Sequence, residues 1–109
     1  QFIERTKRMG IKIGNYNFDG HFTDVNSLQD LSGVYVILCY SSQITVVDVG
    51  ESANVKTRVE NHDRKNCWSR HCSGTLKVAV LYTTNMQQAG RMKIEQELRS
   101  QYNPPCGDR

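Results

Sequence analysis

The hydrophobic positions of this chain follow two different periods. From Gly33 they run without a break through Val34-Tyr35-Val36-Ile37-Leu38-Cys39-Tyr40. After the polar link Ser41-Ser42-Gln43 they resume as Ile44-Thr45-Val46-Val47-Asp48-Val49. β-Branched and aromatic residues dominate both runs and suit a pleated, buried surface. Two such runs joined by so short a link predict an antiparallel hairpin, closed by Gly50. The period then lengthens. Val55, Val59 and His62 share one face of a helix predicted over 53–62, with Ser52 placed to cap it. Residues 76–82 return to alternation and predict a third strand. Met86, Gly90, Ile94, Leu98 and Tyr102 recur every four residues, the buried stripe of a helix over 86–101 that Pro104 and Pro105 end.

The remaining segments are less regular. Residues 3–10 read as a basic, helix-compatible lead-in, and 11–18 alternate in part like a strand. Asp19-Gly20 is a turn signal, and 24–31 suit a short helix. Residues 63–74 are polar and predict a loop containing Trp68. No repeat or low-complexity tract interrupts the chain. The pattern predicts an α+β fold, a small, mainly antiparallel sheet of three strands or slightly more, flanked by helices. Residues 1–32 form an N-terminal extension and 33–109 the main unit of one domain overall.

Composition adds little. The 109 residues suffice for one small domain. A net charge of +3 permits nucleic acid without requiring it, so charge does not decide the function. No apolar run approaches the length that spans a membrane. Cys39, Cys67, Cys72 and Cys106 are irregularly spaced and no secretion signal accompanies them. The expectation is therefore reduced thiols in a cytoplasmic protein, with Cys39 a buried one. His62, Cys67, His71 and Cys72 invite a zinc reading. The Cys67–Cys72 spacing is wider than the commonest one, however, and two free thiols in a polar loop are the expectation.

Four side chains carry candidate chemistry: Tyr35, Arg58, His62 and Glu95. Hydrolysis of a phosphodiester needs an activated water, neutralisation of charge growing on the phosphate, and help for the leaving oxygen. Arg58 offers a planar fork that bridges two phosphate oxygens. His62, one helical turn away, titrates near neutrality. Glu95 suits a hard cation such as Mg²⁺ or Mn²⁺. Tyr35, with an ordinary pKa near 10, needs a nearby cation to serve as a base. Lys56, Arg64, Lys65 and Arg70, interleaved with Trp68, suit a nucleic-acid backbone and a stacked base. Each residue alone also fits a structural role: Tyr35 and His62 in the core, Arg58 on a helix surface, Trp68 folded onto the sheet.

The ordered set of Gly33-Val34-Tyr35, a hairpin, Asp48-Val49-Gly50-Glu51-Ser52, Arg58-x3-His62, and Glu95-x2-Leu98 before Tyr102-Asn103-Pro104 resembles the GIY-YIG nuclease domain over about residues 33–105. The resemblance implies a small sheet with helices packed on it and a cleft across the first hairpin. It implies a metal-dependent endonuclease acting on DNA, with RNA not excluded, alone or with a second copy or an accessory protein. By the same resemblance Tyr35 helps activate the attacking water, Arg58 holds the scissile phosphate, His62 lies near that phosphate, and Glu95 holds one divalent ion, Mg²⁺ or Mn²⁺. Two positions depart from the family pattern. Asp48 stands where a second tyrosine is found, and can repel phosphate, ligate a metal or act as a base. Gly107 stands where an asparagine is found. A scaffold of this type that binds nucleic acid or protein without cleaving is the alternative.

Overall fold

A computed structural model of the chain describes residues 10–107. Five strands and three α-helices occur among them: β1 (Ile11–Ile13), β2 (Tyr16–Phe22), β3 (Gly33–Tyr40), β4 (Ile44–Ser52), α1 (Val55–Glu60), α2 (Lys65–Arg70), β5 (Thr75–Tyr82) and α3 (Gln88–Tyr102). All strand pairs are antiparallel, in the order β1-β2-β5-β3-β4. The α+β class and the hairpin of β3 and β4 are as the sequence indicates. The sheet is larger than three strands because β1 and β2 extend it through β5.

β3 is central and covered on both faces, which is why its sequence reads as a continuous apolar run rather than an alternation. Val34, Val36 and Leu38 pack with Ile94 and Leu98 of α3 and with Ile11, Ile13 and Phe18. Tyr35, Ile37 and Cys39 pack on the other face with Val55 and Val59 of α1 and Trp68 of α2. Each such aliphatic side chain, fully buried, stabilises the fold by about 1.5–3 kcal/mol relative to exposure. A bulge in β4 sets its phase: Ile37 lies opposite Asp48, but Leu38 lies opposite Val46, leaving Val47 as the extra residue. Val46 and Val49 thus face α3, while Val47 and Asp48 both point to the Tyr35 face.

β4 is an edge strand, and the returning tail occupies part of its outer edge. The segment after α3 turns back along it, and the Cys106 N–H donates to Val47 O at 3.1 Å. Asn103, in the left-handed region at φ 50°, ends α3 and starts this return.

Several expectations are corrected. The four cysteines are not free thiols: Cys39 bonds Cys72 and Cys67 bonds Cys106. Irregular sequence spacing says nothing about proximity once α2 crosses the sheet and the tail returns. Residues 63–74 are not a plain loop, since α2 occupies part of them, anchored by Trp68 in the core. The expected first strand is instead a hairpin, turning at Gly14 (φ +60°). Asp19-Gly20 is not a turn between elements but an irregularity inside β2, where Gly20 has φ +110°. Residues 24–31 hold only a short 3-10 turn over Val25–Ser27. The lead-in over 3–10 lies almost wholly outside the described residues. No described helix is long and apolar enough to cross a membrane.

Candidate active site

The Tyr35 side chain is buried beneath β4, against Gly50, its partner across the hairpin. A Cβ at Gly50 would lie 2.2 Å from the phenol oxygen, so only glycine lets the two strands carry this ring. The phenol oxygen lies 2.7 Å from Nε2 of His62. The His62 side chain has no exposed surface and follows directly on α1. Its Nδ1 accepts the Arg64 N–H at 3.0 Å. The neutral imidazole therefore carries its proton on Nε2 and donates it to Tyr35. Burial, with the charges of Arg58 and Arg64, pushes His62 down to about 4, so the ring is neutral at pH 7. Burial pushes Tyr35 up to about 12, opposed in part by Arg58 and Arg64. It is a protonated phenol at neutral pH.

Arg58 is partly exposed, and its guanidinium reaches Asp63 at 3.1 Å while its charge acts on both Tyr35 and His62. Tyr35, His62 and Arg58 thus form one cluster at the junction of β3 with the end of α1.

Asp48 occupies the same face with no exposed surface. Its carboxylate accepts from Arg64 Nε at 2.8 Å, Trp68 Nε1 at 2.8 Å, Arg99 Nη2 at 2.7 Å and its neighbour's backbone, Val49 N–H, at 2.8 Å. Arg99 also donates to Val49 O and, at 3.0 Å, to Cys106 O. Gly107, at φ +89°, lies flat on the Arg99 guanidinium: a Cβ there would sit 2.4 Å from Nη2. Any other residue at 107, asparagine included, meets both the guanidinium and the left-handed backbone. The two departures from the family pattern thus meet at the guanidinium of a single buried arginine.

Glu95 stands on α3 one turn before Arg99, 3.7 Å from its Nε and partly exposed. Burial raises its carboxyl above the ordinary range, Arg99 pulls it back, and the charge of Glu51 raises it further. Glu51 ends β4 beside it and pairs with Arg91 at 3.0 Å. Glu51, Arg91 and Arg99 were not singled out by sequence, although Arg91-x3-Glu95-x3-Arg99 is a polar stripe at helical spacing. The charges of Arg64 and Asp48 act on both Tyr35 and Glu95. Glu95 and Glu51 are the carboxylates of this region that a hard cation would call on, and each is already paired with an arginine, Arg99 and Arg91.

The residues expected to meet nucleic acid divide. Lys65 and Arg70 are exposed on α2, and Lys65 Nζ rests on Glu60 O at 2.6 Å. Lys56 is half-buried on α1. Arg64 is engaged by Asp48. Trp68 is 5% exposed with its indole N–H on Asp48, so it closes the core instead of offering a ring to a base. Among these side chains, charge alone faces outward.

No family model, no curated protein and no solved structure matches this chain.

Proposed function

We propose that the protein is a divalent-metal-dependent endonuclease of the GIY-YIG type that hydrolyses phosphodiester bonds in DNA. The observation that carries this reading is the Tyr35–His62 hydrogen bond under the Arg58 and Arg64 charges, with the charges of Arg64 and Asp48 acting on Glu95 as well. Arg58, partly exposed and paired only with the exposed Asp63, clamps the scissile phosphate as a bidentate donor. Neutral His62 donates to Tyr35 and fixes the ring, and the phenol, buried under Gly50, acts by holding His62 and Arg58 in place rather than by touching the phosphate. Tyr35 is therefore a positioning residue and not a base, since it keeps its own proton at neutral pH. Glu95, with Glu51, would hold Mg²⁺ or Mn²⁺, and the ion would supply charge neutralisation and a more acidic water. Asp48 positions: it fixes Arg64, Trp68 and Arg99 and does not touch substrate. Lys65 and Arg70 extend a cationic path for the backbone of the duplex.

The two disulfides support an oxidising setting over the cytoplasmic one first expected. One active site per chain nicks one strand, so a double cut requires a second protomer or a second visit. The second reading, a scaffold that binds without cutting, is favoured by Asp48, whose cage fills the place of a family tyrosine. Supercoiled plasmid separates the two. The first predicts nicked circles with Mg²⁺ or Mn²⁺, lost with chelator and in Tyr35→Phe and Arg58→Ala. Retention that weakens with salt, with no nicking in either metal, supports the second.

A further inference from the structure

A second cluster of chemically active side chains lies at the end of α2, and the nuclease reading makes no use of it. Cys67, His71 and Cys106 bring two sulfurs and an imidazole nitrogen within 4.8 Å of one another. His71 Nδ1 lies 3.6 Å from Cys67 Sγ and 3.8 Å from Cys106 Sγ. We propose that this is a reduction-gated zinc site. Once the Cys67–Cys106 disulfide is opened, Cys67 Sγ, Cys106 Sγ and His71 Nδ1 bind one Zn²⁺, with the fourth position left to water.

The geometry is already close to what tetrahedral zinc asks for. Zn–S near 2.3 Å and Zn–N near 2.0 Å place nitrogen and sulfur about 3.5 Å apart. His71 thus stands at ligand spacing from both sulfurs. The sulfurs need to part to about 3.8 Å for the same geometry, which a Cα–Cα separation of 5.9 Å accommodates by side-chain rotation. Each cysteine has an anchor besides the disulfide. Cys67 sits on α2, which Trp68 anchors in the core, and Cys106 is held through its N–H to Val47 O and its carbonyl to Arg99. Two thiolates and an imidazole are soft-to-borderline donors with no carboxylate among them, which selects zinc over magnesium. Sequence spacing alone points instead to Cys72, but Cys72 is paired with Cys39 and the partner arrives from the far end of the chain.

The reduction balances with a dithiol. The dithiol gives two electrons and two protons, becomes a disulfide, and leaves Cys67 and Cys106 as thiols. Zn²⁺ then displaces both thiol protons to solvent and forms two Zn–S bonds and one Zn–N bond. Disulfide and metal are thus alternative clasps for one joint, between α2 and the tail that covers the edge of β4. The tail stays docked in oxidising and in reducing surroundings alike.

The test uses Co²⁺ as a spectroscopic stand-in, added without oxygen to the full chain after reduction and removal of the reductant. The proposal expects one Co²⁺ per chain, a sulfur-to-cobalt charge-transfer band, and displacement by Zn²⁺. The oxidised protein shows no band. His71→Ala changes an exposed residue and leaves the fold in place, and it weakens binding at least about tenfold. The Cys39→Ser/Cys72→Ser pair keeps full stoichiometry. A reduced wild-type chain that shows no band, folded or not, overturns the proposal. So does a band unchanged in His71→Ala, or one retained in Cys67→Ser.

Discussion

Arg64, Arg99, Trp68 and the Val49 N–H all donate to the carboxylate of Asp48, a residue with no exposed surface. Removing such a group leaves two guanidinium groups buried or half-buried without their counter-charge. Breaking one side of a buried ion pair costs about 3–5 kcal/mol. Asp48→Ala is expected to lose that much in urea unfolding, whereas a loss under about 1 kcal/mol would contradict a positioning role. His62 makes a second prediction, in pH. Its folded pKa is lowered to about 4, whereas the unfolded chain takes up a proton near 6.5. Between these values the unfolded state binds more protons, so stability falls as pH falls through that window. The drop from pH 7 to 4 is on the order of 3 kcal/mol, by denaturant midpoints at each pH, and is absent in His62→Phe if that variant folds. Gly50→Ala presses on the phenol oxygen of Tyr35, so it is expected to reduce stability by at least about 1–3 kcal/mol, with loss of the tyrosine's buried signal in near-UV circular dichroism.

At the scale of elements, α2 is held by three things: Trp68 in the core, Cys72 to β3, and Cys67 to the returning tail. The Cys67–Cys106 bond closes a loop spanning 39 positions, so replacing both by serine is expected to cost about 2–4 kcal/mol in thermal or denaturant unfolding under oxidising conditions. No change would mean that the tail is held by Arg99 and Val47 alone. These elements also show what a sequence reveals and what it hides. β3, β4, β5 and α3 were legible because each is a local period: unbroken apolar strands, an alternating strand and the Ile94/Leu98 stripe, although Met86, at the head of the expected stripe, is exposed and precedes α3. The short α2 was hidden because six polar-looking residues carry a helix only when Trp68 is buried from outside the segment. The cysteine pairs were hidden because pairing is set by the crossing of α2 and the return of the tail, not by spacing. The β4 bulge was equally illegible, and it is what turns Asp48 to the Tyr35 face.

Across the whole molecule, the face bearing α1 and α2 carries Tyr35, His62, Arg58 and the Asp48 cage, while α3 brings Glu95 to the edge at β4. Tyr35, His62 and Arg58 stand together, while Glu95 lies on α3 beside Arg99. Their roles were less legible than their positions. The burial of Tyr35, which keeps its phenol protonated, and of Trp68, which removes it from any stacking surface, follows from packing on β3 that the sequence does not display. The central claim is that Glu95, set beside Glu51, holds the metal on which strand cleavage depends. The direct measurement is the nicking rate of supercoiled plasmid against Mn²⁺ concentration, for the wild-type chain and for Glu95→Ala, each first shown to be folded by circular dichroism. The account predicts metal-dependent nicking by the wild type and at least about a hundredfold loss in Glu95→Ala. Equal nicking by the two proteins, or none by the wild type in either metal, would contradict it.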